Sequence, residues 1–202
     1  MILALMLTSV SDTSFPPVLI SITGLPCSGK SYIGRRLGPM LGLPVFDRDE
    51  FCDKLFEVFG HSHEKAYRDK VGYVAGEDIL MIMRKELGVG RSLMVEAVLH
   101  PHIYNRLFRN VYDEVPFRYI QIVLEASREA LEQRYLARDN STEKLAGHWN
   151  LDDYPYKHLL ESGTIEPLDL PSEVVRVNTT DMAAIDYEKL LTKLTTLMEV
   201  RT

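Results

Sequence analysis

Residues 24–31 read Gly24-Leu25-Pro26-Cys27-Ser28-Gly29-Lys30-Ser31 and match the pattern G-x-x-x-x-G-K-[ST] at every defined position. The glycines of this pattern permit backbone conformations and close approaches that a side chain would block. The N–H groups of the loop then point inward and bind phosphate oxygens. In such a loop Lys30 reaches the β- and γ-phosphates and the Ser31 hydroxyl coordinates Mg²⁺. The stretch therefore predicts a phosphate-binding loop for a nucleoside triphosphate.

The residues on both sides of the loop support this interpretation. Residues 18–23 form a β-rich apolar run that ends at the loop, which is typical of a buried strand. After the loop, Ile33, Leu37, Met40 and Leu41 recur at helical spacing. The loop thus leads from a strand into a helix N-terminus, where the helix dipole and unpaired N–H groups favour an anion.

Composition bounds the class of protein. The chain has 202 residues, of which 46% are hydrophobic and 26% charged, as expected for a globular domain. Its net charge of −6 argues against general nucleic-acid binding, which requires a basic face. Cys27 and Cys52 form no disulfide or zinc pattern. We expect a poorly ordered tail over residues 1–16, a single domain over 17–202, no membrane span and a cytoplasmic location.

Strand-like and helix-like segments alternate along the chain. Strands are predicted near 18–23, 45–46, 92–98, 117–124 and 174–177, and helices near 29–41, 50–59, 64–87, 101–113 and 127–138, with a last helix capped by Asp181. A further short helix is expected between Asp152 or Asp153 and Gly163. Such alternation predicts a parallel sheet covered on both faces, and ligands of such sheets bind at the carboxyl ends of the strands.

Three acidic residues lie at predicted strand ends. Asp47 and Asp49 follow the second strand and project to the same side if the segment is extended. One carboxylate would hold Mg²⁺ and the other would accept a proton from an attacking hydroxyl. Alternatively, Asp49 only caps the next helix. Glu96 stands in an apolar strand, either near the metal or facing the surface at a sheet edge.

Histidine and arginine pairs complete the candidate residues. His100 and His102 follow the third strand, where they would line an acceptor pocket. Arg134 and Arg138 are four residues apart and so share a helix face. They precede a polar stretch that would act as a lid, and lid arginines stabilise the charge of a transferred phosphoryl group. Solvated pairing with glutamates is the alternative for both.

Taken together, these residues resemble the small phosphate-loop kinases. The resemblance rests on the loop at 24–31, on Phe46-Asp47-Arg48-Asp49, on the Arg134-x-x-x-Arg138 pair and on the stretch 177–181. More narrowly, the chain is similar to the AAA_33-type group of ATP-binding kinases, akin to shikimate kinase, gluconate kinase, chloramphenicol phosphotransferase and the kinase domain of polynucleotide kinase. The similarity in element order covers residues 17–200.

The resemblance implies an α/β fold of the nucleoside-monophosphate-kinase type, with three α/β/α layers, a five-stranded parallel sheet of order 2-3-1-4-5 and a lid. It implies ATP and Mg²⁺ as cofactors, with Asp47 and Ser31 at the metal and Asp49 at the acceptor hydroxyl. Lys30, Arg134 and Arg138 would act on the phosphates. The nucleotide would contact the loop from Gly24 to Tyr32, with its adenine beside Thr179 and Thr180.

Two departures from the family narrow the choice of acceptor. Several relatives have an arginine three residues after the second acid that contacts a substrate phosphate, and here Cys52 stands at that position. The glycine triplet of shikimate-binding enzymes is replaced by Val95-Glu96-Ala97-Val98-Leu99-His100. The first departure disfavours a phosphorylated acceptor, and the second disfavours shikimate.

The resulting hypothesis is an ATP-dependent kinase that phosphorylates a hydroxyl of a small molecule. Its acceptor region would cover residues 50–87 and its lid residues 134–150, and His148 and Trp149 would belong to that lid. A monomer or a homodimer is expected, without nucleic acid or membrane partners. Two alternatives remain: an acceptor that is a nucleoside, a nucleotide or a polynucleotide 5′-hydroxyl, or a nucleotide-dependent regulatory ATPase.

Overall fold

The computed structural model of the protein describes residues 16–62, 64–140, 151 and 154–199. The expected tail at residues 1–16 therefore lies outside the described residues except for Pro16. The same holds for Asp152, Asp153, His148, Trp149 and the lid residues 141–150. Of the expected lid at residues 134–150, the structure describes residues 134–140.

Five strands and six α-helices alternate among the described residues. The strands are β1 (Val18–Thr23), β2 (Val45–Asp47), β3 (Leu93–Glu96), β4 (Arg118–Glu125) and β5 (Glu173–Asn178). The helices are α1 (Lys30–Leu41), α2 (Arg48–Phe59), α3 (Lys65–Gly88), α4 (Pro101–Glu114), α5 (Arg128–Asp139) and α6 (Tyr187–Glu199), with two short 3₁₀ turns at Lys157–Glu161 and Met182–Ala184. In the part of the chain that is described, none of the helices is both long and apolar enough for a bilayer span.

The strands form one sheet in the order β2-β3-β1-β4-β5, in which all neighbours are parallel. The predicted order 2-3-1-4-5 is therefore confirmed. In register, Asp47 lies opposite Glu96, and Ile22 lies opposite both Glu96 and Ile122. The acidic residues thus come together at the carboxyl edge of the sheet.

Two apolar layers sandwich the sheet, as the alternation of β1 side chains requires. Leu19 packs with Ile79 and Met83 of α3 and with Phe108 of α4. Its neighbour Ile20 faces the opposite layer, which contains side chains of α1 and α6. Each such fully buried aliphatic side chain contributes about 1.5–3 kcal/mol to folding. This packing fixes the positions of the strand ends, where the acidic residues lie.

One predicted helix start is wrong. Asp181 caps the short turn Met182–Ala184, since its carboxylate accepts a hydrogen bond from the Ala183 N–H. Helix α6 begins only at Tyr187. The sequence pattern did not separate the two, because Asp186 offers a second capping carboxylate and accepts a hydrogen bond from the Lys189 N–H.

Candidate functional site

The loop at 24–29 has the strained backbone that a phosphate cradle needs. Gly29 has φ +94° and Cys27 has φ +63°, so two residues separated only by Ser28 have left-handed backbone conformations. This geometry orients successive N–H groups inward. A Cβ at Gly24 would lie 2.9 Å from the Cβ of Leu124. A Cβ at Gly29 would lie 2.9 Å from the Sδ of Met182. Glycine is therefore favoured at Gly24 by close packing and at Gly29 by its positive φ.

The start of α1 is left open for an anion. No side chain caps this helix, and no acidic residue stands in its first turn. Lys30 is buried, and its Nζ lies 3.3 Å from the Leu25 carbonyl oxygen, folded over the loop. The Ser28 hydroxyl is buried without a hydrogen-bond partner among the described residues. Unsatisfied donors at a helix N-terminus beside a lysine fit the phosphates of a nucleotide.

Two carboxylates converge on the hydroxyl of Ser31. Its Oγ donates a hydrogen bond to Glu96 Oε1 at 2.6 Å and lies 3.3 Å from Asp47 Oδ2. Glu96 is 3% exposed and lies on β3, between β2 and β1. The alternative that Glu96 faces the surface from a sheet edge is therefore wrong.

The proximity of these two acids changes their protonation. Burial raises the pKa of Glu96, and the neighbouring Asp47 charge raises it further. Burial also raises the pKa of Asp47, followed by the charge of Asp49. A cation at this point would relieve the repulsion, and carboxylate and hydroxyl oxygens are the ligands that Mg²⁺ prefers. Within the described residues no group of three or more His, Cys, Asp or Glu side chains could hold a metal.

The helix cap that the sequence offered as an alternative role for Asp49 is made by Asp47. Asp47, not Asp49, caps α2, because its Oδ1 accepts a hydrogen bond from the Asp49 N–H at 2.8 Å. The extended segment assumed for both ends at Asp47, and Asp49 stands in the first turn of the helix. Its carboxylate is 41% exposed and lies 3.3 Å from the Arg48 guanidinium. Capping therefore does not explain the Asp49 side chain.

Asp49 faces a cavity of about 600 Å³ that opens beside the phosphate loop. Pro26 of the loop, Arg48 and Cys52 of α2, and Arg138 of α5 also line it. Within the expected acceptor region 50–87, Phe56, Arg68 and Tyr73 line the cavity, whereas Phe51 packs against the core. The volume lies in the range of about 300–1,000 Å³ that is typical of small-molecule sites.

The two arginines of α5 reach different places. Arg134 donates to the carbonyl oxygens of Thr179 at 2.6 Å and Thr180 at 2.9 Å, and its other nitrogen lies 3.5 Å from the Cys27 carbonyl oxygen. Arg138 instead lines the cavity, with its guanidinium carbon 4.6 Å from the centroid of the Tyr135 ring. Arg134 thus joins the phosphate loop to the segment after β5, and Arg138 faces the acceptor side.

The segment after β5 is held close to the loop. Thr179 is fully buried, and its N–H donates to the Glu125 carbonyl oxygen at 2.7 Å. The Thr180 hydroxyl accepts a hydrogen bond from the Ser127 N–H. Met182, which sequence reasoning missed, packs against Gly29. Tyr32, on α1, is 55% exposed. No sequence motif marks Met182, because a methionine makes this contact only through the tertiary fold.

His100 lies at the cavity, as one reading of the sequence expected. It is buried, lines the cavity, and has its ring centroid 3.8 Å from that of Tyr156. Burial lowers the pKa of His100 to about 4, with His102 as the next cause. His102 is exposed, and its Nε2 lies 3.2 Å from the Tyr156 hydroxyl. Tyr156 also lines the cavity, and the sequence did not indicate it.

The chain matches the profile of the AAA_18 family, described as an AAA domain, over residues 20–154. It belongs to this AAA domain family. The recognition of a phosphate-loop kinase relative is thereby confirmed, as is the predicted α/β fold.

Individual relatives of this AAA domain agree. The chain is 28% identical to the shikimate kinase of Bartonella quintana over 138 residues, which cover 56% of this chain and 63% of that enzyme. The chain thus spans less than two thirds of this curated relative. A crystal structure of a candidate kinase from Chloroflexus aurantiacus has a TM-score of 0.84 at 28% identity, covering 91% of this chain and all of the other. Kti12 of Chaetomium thermophilum, solved with ADP-AlF3, has a TM-score of 0.61 at 13% identity over 90% of this chain and 100% of its own, and shows the shared fold alone.

Proposed function

We propose that the protein is an ATP-dependent kinase that transfers the γ-phosphoryl group to a hydroxyl of a small molecule. One observation carries the proposal: Asp49 and Arg138 line the same cavity as Pro26 of the phosphate loop. An acid that binds a hydroxyl and a cation that stabilises phosphoryl charge therefore flank one space beside the nucleotide loop. The similarity to a shikimate kinase supports this reaction class. We expect the enzyme to act in the cytoplasm, where ATP and Mg²⁺ are abundant.

The chain's own residues would hold the nucleotide as follows. The loop N–H groups from Gly24 to Ser31 and the Lys30 ammonium bind the phosphates, while Thr179, Thr180 and Tyr32 lie beside the nucleoside. Arg134 keeps the segment after β5 against the loop through its carbonyl hydrogen bonds. Ser31 and Asp47 would hold Mg²⁺, with Glu96 bonded to Ser31 behind them. When bound, Mg²⁺ neutralises phosphate charge.

Asp49 would orient the acceptor and take its proton. The acceptor oxygen attacks the γ-phosphorus, a new O–P bond forms, and the bond between that phosphorus and the β,γ-bridging oxygen breaks. ADP leaves with the bridging oxygen, and the proton of the hydroxyl passes to the Asp49 carboxylate and then to solvent. Arg138 would stabilise the charge on the transferred oxygens. Water must be excluded by the acceptor and the lid, since otherwise ATP would be hydrolysed.

The two alternatives make different demands on the cavity. A phosphorylated acceptor calls for unpaired cations, and the wall does contain Arg48, Lys65 and Arg68. However, Arg48 pairs with Asp49 and Lys65 pairs with Asp69 at 2.5 Å. A regulatory ATPase would not need the acceptor cavity beside Asp49. The small-molecule reaction therefore accounts for more of the site.

Substitution of Asp49 tests the proposal. In an assay of Mg²⁺·ATP with mixed alcohols, Asp49→Asn should lower kcat about 10²–10⁴-fold, the usual effect of a lost general base. Its affinity for Mg²⁺·ADP should stay unchanged. Asp53→Asn, one helical turn further along α2, is the matched control and should keep its activity. Full transfer by Asp49→Asn would overturn the assignment of Asp49.

A further inference from the structure

Aromatic side chains are enriched in the wall of the cavity. Phe56, Tyr73, Tyr104, Tyr135, Tyr154 and Tyr156 all line it. The imidazole of His100 adds a seventh ring to the same wall. Phe, Trp and Tyr make up only 9% of the chain, so rings are concentrated at this one place. Aromatic walls favour ligands with flat apolar faces.

Four of these rings form a continuous surface. The centroids of Tyr135 and Tyr154 are 6.2 Å apart, those of Tyr154 and Tyr156 are 6.0 Å apart, and those of Tyr156 and His100 are 3.8 Å apart. All three spacings allow direct ring contact. The surface joins α5 to the segment before α4, and Asp49 lines the same cavity.

Tyr73 lies on α3 and remains 66% exposed although it borders the cavity. Among the described residues, no ring is stacked against it. Gly72 and Gly76 of the same helix also line the cavity, and neither has a side chain that would cover the Tyr73 ring. An exposed ring at the border of a cavity offers an apolar face against which a ring of the ligand can pack.

The wall contains four cationic and three acidic side chains, and the cations have partners within the protein. Arg48 pairs with Asp49, Lys65 pairs with Asp69, and Arg68 and Arg138 also interact within the protein. His100 is neutral at pH 7, because burial lowers its pKa to about 4. An anionic acceptor would compete with the carboxylates of Asp49 and Asp69 for Arg48 and Lys65, whereas an uncharged acceptor leaves both pairs in place.

We propose that the acceptor is an uncharged alcohol that carries an aromatic ring, and that Tyr73 contacts this ring while Asp49 binds the hydroxyl. This inference rests on the proposed function and specifies its substrate class. It differs from shikimate, the acid after which the curated sequence relative is named, and it makes Tyr73 a specificity-determining residue.

A matched pair of acceptors tests the class. The probes are 1-phenyl-1,2-ethanediol and 1-cyclohexyl-1,2-ethanediol, which differ in ring aromaticity, together with uridine and adenosine as aromatic alcohols and shikimate and gluconate as acids. The phenyl compound or a nucleoside should be phosphorylated. The kcat/KM of the phenyl diol should exceed that of its cyclohexyl twin about five-fold, in line with the worth of an aromatic pair.

Substitution of Tyr73 tests the contact in the full-length protein. Tyr73→Ala should raise the KM for the best aromatic acceptor about five-fold and leave the KM for ATP unchanged. Tyr73→Phe retains the ring and should restore the KM. Phe59→Ala is the matched control, because Phe59 is 70% exposed on α2 but does not line the cavity. Since Tyr73 is exposed, its loss should not impair folding.

The outcomes separate this inference from the proposed function. Phosphorylation of acids or saturated alcohols alone, or equal kcat/KM for the phenyl and cyclohexyl twins, would overturn the aromatic acceptor and leave the kinase intact. No phosphorylation of any alcohol would overturn both. A wild-type KM in Tyr73→Ala would remove Tyr73 from the acceptor site.

Discussion

At the scale of single residues, the decisive arrangement is the group of Ser31, Asp47 and Glu96. Two carboxylates beside one hydroxyl, the buried Glu96 and the half-buried Asp47, cost free energy unless a proton or a cation lies between them. In the free protein, burial and the charge of Asp49 raise the pKa of Asp47 to about 6, while burial and the charge of Asp47 raise the pKa of Glu96 to about 7. The pair therefore stores unfavourable energy that a bound Mg²⁺ would release.

The substitution Glu96→Gln should reveal this unfavourable energy as a change in the pH dependence of stability. Because both folded-state pKa values are raised, the folded protein binds more protons than the unfolded chain, and stability falls as pH rises from about 4 to about 7. The variant should lose much of this dependence. We expect its free form to be more stable than wild type at pH 8 by about 1–3 kcal/mol, with little difference at pH 4.

Thermal unfolding of both proteins at the two pH values, without Mg²⁺, measures this difference. The variant should also need more Mg²⁺ to bind ATP. If wild type and Glu96→Gln showed the same stability change with pH, Glu96 would be an ordinary ionised carboxylate and the account of the pair would be wrong.

Much of this residue arrangement could be predicted from the sequence. The spacing of the loop identified Lys30 and Ser31, and the strand-end rule identified Asp47 and Asp49. The role of Glu96 stayed open in the strand pattern, because sheet order decides whether a strand is central or at an edge, and only the resemblance to a known family supplied that order. Met182 and Tyr156 were missed, since their contacts arise only from tertiary packing.

At the scale of elements, α5 separates two functions along its length. Arg134 and Arg138 share a face, as predicted, but Arg134 binds backbone carbonyls of two other segments while Arg138 lines the cavity. Helical periodicity gives the shared face correctly. It gives no information on what each side chain reaches, because a guanidinium extends over more than one helical turn.

Substitution of the two arginines should therefore affect different properties of the protein, stability for Arg134 and kcat for Arg138. Arg134→Ala loses charge-assisted hydrogen bonds and should lower the free energy of unfolding by about 1–3 kcal/mol, with a higher KM for ATP. Arg138→Ala should lower kcat about 10²–10³-fold, the usual cost of one transition-state donor. Its stability should change little. Urea unfolding and steady-state kinetics measure both effects.

Arg128→Ala serves as the control for α5, because Arg128 lies at the exposed start of the helix and pairs with Glu132 and Glu161. It should leave both quantities nearly unchanged. Equal losses of kcat in Arg134→Ala and Arg138→Ala, without loss of stability in either, would refute the division of roles.

Element boundaries show where sequence reasoning ends. Strand β1 was predicted with its observed bounds, because an apolar run before a glycine loop is unambiguous. Helix α2 begins two residues earlier than predicted, since its cap is Asp47. The start of α6 was misplaced because Asp181 and Asp186 are equally good caps in sequence, and only the packing of Tyr187 decides between them.

At the scale of the whole molecule, the nucleotide would join three parts of the chain. The phosphate loop, the end of β2 and the segment after β5 meet at one edge of the sheet. A ligand that binds there favours the folded state by mass action. The layered fold was predictable, since alternating strands and helices leave few other arrangements.

Nucleotide binding should therefore raise the melting temperature of the domain. At 100 times the Kd, Mg²⁺·ADP adds about 2.7 kcal/mol of stability. For a domain of this length the shift is about 5–11 °C. Lys30→Ala should reduce the shift at the same ligand concentration. Equal shifts in wild type and Lys30→Ala would place the nucleotide elsewhere.

The most direct test of the central claim is the fate of the γ-phosphate. The protein is incubated with Mg²⁺, ATP labelled in the γ-phosphoryl group and a mixture of alcohols, and the label is followed into organic phosphate esters and inorganic phosphate. The account predicts label in an alcohol phosphate, lost in Asp49→Asn and kept in Asp53→Asn. Label in inorganic phosphate alone, at the same rate with and without alcohols, would contradict it.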